Sequence, residues 1–253
     1  MHLLPITVPG SDVEFGSREN GWQVMQMFTQ VRRAFFRATI ALLWFEAANP
    51  FGDDDGAAFV ERRRVQSEES KQRHRAAERV YETSSGRPAF DWDDDAPQIE
   101  VERLALSIAE AQSVVPSSFR AQFPFMHAES FVFALDGIEK LMSVIAGWEG
   151  APSEAIETFR VWSTEFPQLR DIRNSAHHTE DRIRGIGKPG KVMNVPVIDM
   201  GNLGGSEFSI TVADGSVQTI DVSLSTLVRA QVLVQQMHDA FVWTAPGWID
   251  PRG

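Results

Sequence analysis

LRDIRNSAHHTEDRIRG, residues 169–185, is the stretch on which the reading of this chain turns. A helix surface needs charge for solubility, but it rarely needs two adjacent imidazoles. A regular helix advances about 100° per residue. On that spacing Leu169, Ile172, Ala176 and Ile183, with Thr179 among them, form one stripe expected to face the core. Asn174 and His178 are four apart and point away from the stripe. Arg173 and His177, also four apart, lie on the flank between. The ordinary explanation is a solvated polar face. Arg170, Asp171, Glu180, Asp181, Arg182 and Arg184 make the segment charged in any case, and spacing alone favours that explanation.

The pattern upstream is helical. Val24, Met27, Phe28, Val31, Phe35 and Leu42 recur at threes, fours and sevens, which predicts a helix over 20–49. Further helices are expected at 57–82, 97–115, 124–148 and 153–165. Pro167 then opens a sixth, which carries the quoted stretch and ends at Gly185 or Gly187. Downstream the pattern changes to short β-branched runs at 192–199, 207–212 and 217–222. Asp214-Gly215 marks a hairpin between the last two. A small antiparallel β-meander over 192–222 is therefore expected ahead of a last helix, 224–242. Residues 1–19 read as irregular. No linker divides the chain, so the expectation is a mainly α fold in a single domain, 1–253.

The chain has 253 residues, enough for a sizeable core. Its formal net charge of −11 argues against a dedicated duplex-DNA binder, though not against a local basic groove. It contains no cysteine, which excludes disulfides, thiol catalysis and Cys-based zinc sites. MHLLPITVPGSDVEFG, residues 1–16, lacks the basic start and apolar core of a signal peptide. The most apolar run, Ala38 to Phe45, is far short of a membrane span. The expectation is a soluble, cytoplasmic protein without membrane contact.

The string Arg173-Asn174-Ser175-Ala176-His177-His178 fits R-N-x-x-x-H and resembles the catalytic helix of the HEPN superfamily. That family pairs an Arg with a His after four to six intervening residues. Arg173 and His178 have four between them; His177 is one too close. The resemblance covers mainly residues 124–242, and it implies a HEPN-like helical bundle. It also implies a metal-independent endoribonuclease, serving as a toxin or antiviral effector. RNA is the implied substrate, a homodimer shares the cleft, and a neutralising or activating protein partner fits the same pattern. In such a site His178 is the general acid or base and Arg173 stabilises the phosphorane. Asn174 orients, and His177 is auxiliary. Lys188 and Lys191, just after the motif, are candidates for RNA contact.

Two departures stand beside the match. Family toxins controlled by nucleotidyltransferase antitoxins carry a Tyr two residues after the His, where this chain has Glu180. The family also often places an acidic or polar residue on a preceding helix, against the Arg. Glu129 and Asp136 are candidates by location, although solvated or capping carboxylates are commoner. Members that keep the fold without cleaving RNA act as dimerisation or partner-binding modules, which is the alternative function.

The remaining signals are weaker. GIGKPGK, residues 185–191, is followed by Val192 instead of Ser or Thr, so it is not a P-loop. There is no H-E-x-x-H, and adjacent helical histidines diverge too far to share one ion, so neither a metal nor a cofactor is expected. The basic residues from Arg62 to Arg75 read as a charged helix with internal ion pairs.

Overall fold

The apolar residues at helical spacing do form helices, and small antiparallel sheets accompany them. The computed structural model describes residues 4–49, 56–184, 186 and 201–250. In chain order the elements are β1 (Ile6–Val8), β2 (Asp12–Glu14), α1 (Arg18–Ala48), α2 (Gly56–Ser85), α3 (Ala96–Ala111), α4 (Ser117–Arg120), α5 (Phe123–Ala146), α6 (Ser153–Glu165), α7 (Leu169–His177), α8 (Thr179–Ile183), β3 (Asn202–Gly204), β4 (Glu207–Thr211), β5 (Val217–Asp221), α9 (Leu224–Asp239), β6 (Val242–Thr244) and β7 (Trp248–Asp250). Among the described residues no helix is long and apolar enough to cross a membrane.

The chain divides into two compact units, residues 1–49 with 124–253 and residues 50–123, where the sequence led to one domain. The shorter unit is helical like the elements it interrupts, and its α2 is strongly charged. In that unit α2 packs on α3 through Ala77, Tyr81 and Val101. The rest of α2 is charged and carries internal pairs such as Arg64–Glu61 and Lys71–Glu68, as its composition suggests. The helix expected to reach residue 115 stops at Ala111, and α4 follows Pro116 as an unanticipated short turn.

The larger unit is built on α1 and α5. Phe28, Val31, Phe35 and Phe45 from α1 share one buried cluster with Phe131, Leu135, Ile138 and Met142 from α5. Leu169 and Ile172 of α7, Phe208 and Ile210 of β4, and Leu227, Val234 and Met237 of α9 belong to the same cluster. The meander has the order β3-β4-β5, with Phe208 opposite Ile220. Gly215, at φ +89°, turns the loop between β4 and β5, with Asp214 accepting from the Ser216 N–H at 2.9 Å. The strand expected at 192–199 lies outside the described residues.

The N-terminal segment is not irregular. β1 pairs with β7 and β2 with β6, each antiparallel over three residues. Strands this short leave no periodic trace, and their partners lie at the opposite end of the chain. The last helix stops at Asp239, short of residue 242, and this pairing takes over. β2 crosses α1 so closely that a side chain at Gly21 would overlap the Val13 carbonyl oxygen.

His238 of α9 is fully buried beneath this closure, an unusual place for an imidazole. Its Nδ1 lies 2.8 Å from the Val234 carbonyl oxygen, and its ring stacks on Trp243 and meets Phe28 at a 40° tilt. Burial, helped by the charge of Arg32, pushes its pKa down to about 4 from 6.5. The unfolded chain therefore binds this proton more readily than the folded one. The stability tied to neutral His238 is complete above pH 6.5 and is lost as pH falls towards 4, up to about 3 kcal/mol. Urea unfolding at pH 7 and pH 4.5 tests this. The wild type should lose more stability between the two than His238→Gln, and equal losses would place the acid sensitivity elsewhere.

Candidate functional site

Asp136 lies in an apolar run of α5, between Leu135 and Gly137, and its side chain is 6% exposed. A carboxylate taken out of water needs a cation or several hydrogen bonds. Arg173 of α7 supplies one, its Nε donating to Oδ2 at 3.1 Å. Lys140, one turn along α5, approaches the same oxygen to 2.7 Å. The acidic partner that the resemblance led one to look for beside the Arg is therefore present at Asp136. Among the described residues Glu129 does not pair with Arg173, and burial alone raises the Glu129 carboxyl. The Glu139 carboxyl is also raised, by burial first and then by the charge of Asp136. Among the described residues the Nη groups of Arg173 make no hydrogen bond, so the guanidinium is held at one edge and open at the other.

The helix that carries the motif is shorter than expected. α7 ends at His177, and His178 takes a non-helical conformation with φ −116° and ψ 45°. Its N–H still donates to the Asn174 carbonyl at 3.0 Å. A separate short helix, α8, starts at Thr179. The cause is visible in the packing. Leu169, Ile172 and Ser175 are buried, and α7 lies on β4 and β5. Gln168 fixes its start by donating to the Thr219 carbonyl at 3.2 Å. Past Ala176 the apolar stripe stops: Ile183, expected on the core side, is 62% exposed. Among the described residues nothing apolar holds the helix straight beyond that point.

The break separates the two histidines. His177 keeps its helical place one turn after Arg173. Its ring lies nearly flat on Phe133 of α5, with centroids 5.3 Å apart and planes at 23°. Arg173 thus meets residue 136 and His177 meets residue 133, so α7 and α5 run antiparallel where they touch. His178 turns away. Its Nδ1 lies 3.8 Å from Glu180 Oε1, and its ring centroid is 6.3 Å from that of His177. Both imidazoles are exposed. The relation expected between Asn174 and His178, four apart on one regular helix, is replaced by a backbone contact: the Asn174 carbonyl anchors His178 at the helix end. Lys188 and Lys191 lie outside the described residues.

The structure thus brings together Arg173, Asp136, Lys140, His177 and Phe133, with His178 at the edge. Phe133 is the member that the sequence did not disclose, because an aromatic in an apolar helix reads as core. Asp136 did leave a signal, as a lone carboxylate inside an apolar stripe. Compared with known proteins, the chain matches no family model, no curated protein and no solved structure.

The central pair is open to a direct test. Arg173 is 20% exposed along its side chain and Lys140 remains beside Asp136, so the full cost of orphaning a buried charge is not expected. Asp136→Asn and Arg173→Gln should each lower stability by about 2 kcal/mol, with a coupling of about 1 kcal/mol in a double-mutant cycle. Strictly additive effects in urea unfolding would mean that the two side chains do not interact in solution.

Proposed function

We propose that this protein is a HEPN-like, metal-independent endoribonuclease. The observation that carries the reading is the fixed Arg173–Asp136 pair, with two imidazoles within the next turn and a half of chain. An RNA 2′-OH attacks the adjacent phosphorus. A neutral imidazole takes its proton, and a protonated one gives a proton to the departing 5′-oxygen. The products are a 2′,3′-cyclic phosphate and a 5′-hydroxyl, which conserves atoms and charge. Arg173 offers its free Nη edge to the phosphorane oxygens, where a fixed planar cation is worth most. His178, with its side chain exposed, is the proton carrier in this reading. His177, seated on Phe133, is the auxiliary.

A homodimer would supply a second His178 across the cleft and so provide acid and base together. RNA is the substrate in this reading. The toxin or antiviral role, and a neutralising or activating protein partner, follow from the family resemblance alone. Cytoplasmic placement is part of the same proposal.

One observation favours the alternative, a non-catalytic dimerisation or partner-binding module. Arg173 is already ion-paired, as a purely structural arginine would be. End-labelled RNA incubated in EDTA separates the two readings. The wild type should cut and leave 2′,3′-cyclic ends, and His178→Ala and Arg173→Gln should each cut at least about 100-fold more slowly. A folded wild-type dimer that leaves RNA intact would favour the interaction module.

A further inference from the structure

The break after α7 gathers three metal-ligating side chains. His178, Glu180 and Asp181 each present one donor atom, and the three atoms lie within 4.8 Å of one another. In an unbroken helix Glu180 would sit about 200° around the axis from His178, on the far side. The non-helical His178 brings the two to 3.8 Å. On a regular helix the sequence places His177 and His178 with Glu180 and Asp181, and the divergence of the adjacent histidines speaks against a shared ion. The trio instead uses one imidazole and two carboxylates, and His177 remains on Phe133.

We propose that His178, Glu180 and Asp181 bind a divalent transition-metal ion, with zinc as the probe. The donor set selects the class. One neutral imidazole and two carboxylates suit zinc, cobalt or manganese, whereas calcium and magnesium prefer oxygen alone. Ligand atoms around tetrahedral zinc stand about 3.4 Å apart. The present spread closes to that distance by side-chain rotation, and His178 and Glu180 are exposed and free to rotate. Two carboxylates one residue apart repel each other unless a cation lies between them. The cation that approaches them among the described residues, Arg184, stops at 4.0 Å from Asp181 and is exposed, so it competes weakly. Three protein donors leave at least one position open to water or to a phosphate oxygen.

Occupancy has a consequence for the proposed chemistry. A metal-bound imidazole nitrogen has no lone pair left for a proton, so zinc would hold His178 out of the reaction and EDTA would release it. That inhibition rests on the ribonuclease reading; the binding does not.

The test uses untagged full-length protein, stripped with EDTA and exchanged into buffer at pH 7.5. Cobalt titration followed by visible absorption, with zinc as competitor, reports the site without reference to activity. The wild type should bind one ion with a visible cobalt band. His178→Ala should weaken binding at least tenfold, and the Glu180→Gln/Asp181→Asn pair should do the same without removing an imidazole. His74, whose two ring nitrogens face Glu78 and Glu102 separately at 3.6 Å, provides the control; His74→Ala should leave the affinity unchanged. No cobalt band in the wild type, or variants at His178 and at the carboxylates that bind as tightly as the wild type, would overturn the site. Zinc binding by a protein that cuts no RNA in EDTA would keep the site and reject the ribonuclease.

Discussion

The buried charge of Asp136 sets the terms for the rest of the site. A carboxylate within an apolar stretch of α5 cannot stay ionised alone, and Arg173 is the cation brought to it from another helix. The demand reaches further than the pair. It fixes the approach of α7 to α5, aligns His177 with Phe133 one turn away, and pins one edge of a guanidinium while the other stays open. Replacing a buried ion pair with apolar residues often costs a fold nothing. Stability is therefore a weak reason for this one to exist, and a rigidly placed cation at the surface is a better one.

The second constraint is where the apolar stripe of α7 runs out. Tertiary packing, more than propensity, holds a short helix. Once Ile183 faces solvent the helix stops at His177, and two sequence-adjacent imidazoles acquire different surroundings. One rests on an aromatic ring beside a fixed cation. The other stands in the open between the helix end and two carboxylates. A site that needs a proton carrier and an auxiliary group obtains both from a single dipeptide in this way.

The helices were legible because their apolar residues repeat at helical spacing over many turns, and Asp214-Gly215 announced its hairpin. The strands at the chain ends were not, since three residues are too few for a period and their partners lie over 200 residues away. Arg173, Asn174, His177 and His178 were legible as a string, but the break at His178 was not. It depends on what α7 packs against, which the string does not contain. Asp136 could be nominated by its helix, yet only the fold shows that it meets Arg173. Helical spacing alone does not divide the chain into its two units, because both are helical.

The proposed chemistry requires the RNA itself to supply the nucleophile. The most direct measurement compares an all-ribose oligonucleotide with one carrying a single 2′-deoxyribose at the cleaved position, both incubated with the protein in EDTA. The account predicts that the first is cut and the second is spared at that position alone. Equal cutting at the deoxy position would mean that water or another group attacks phosphorus, and that Arg173 and His178 serve a different reaction.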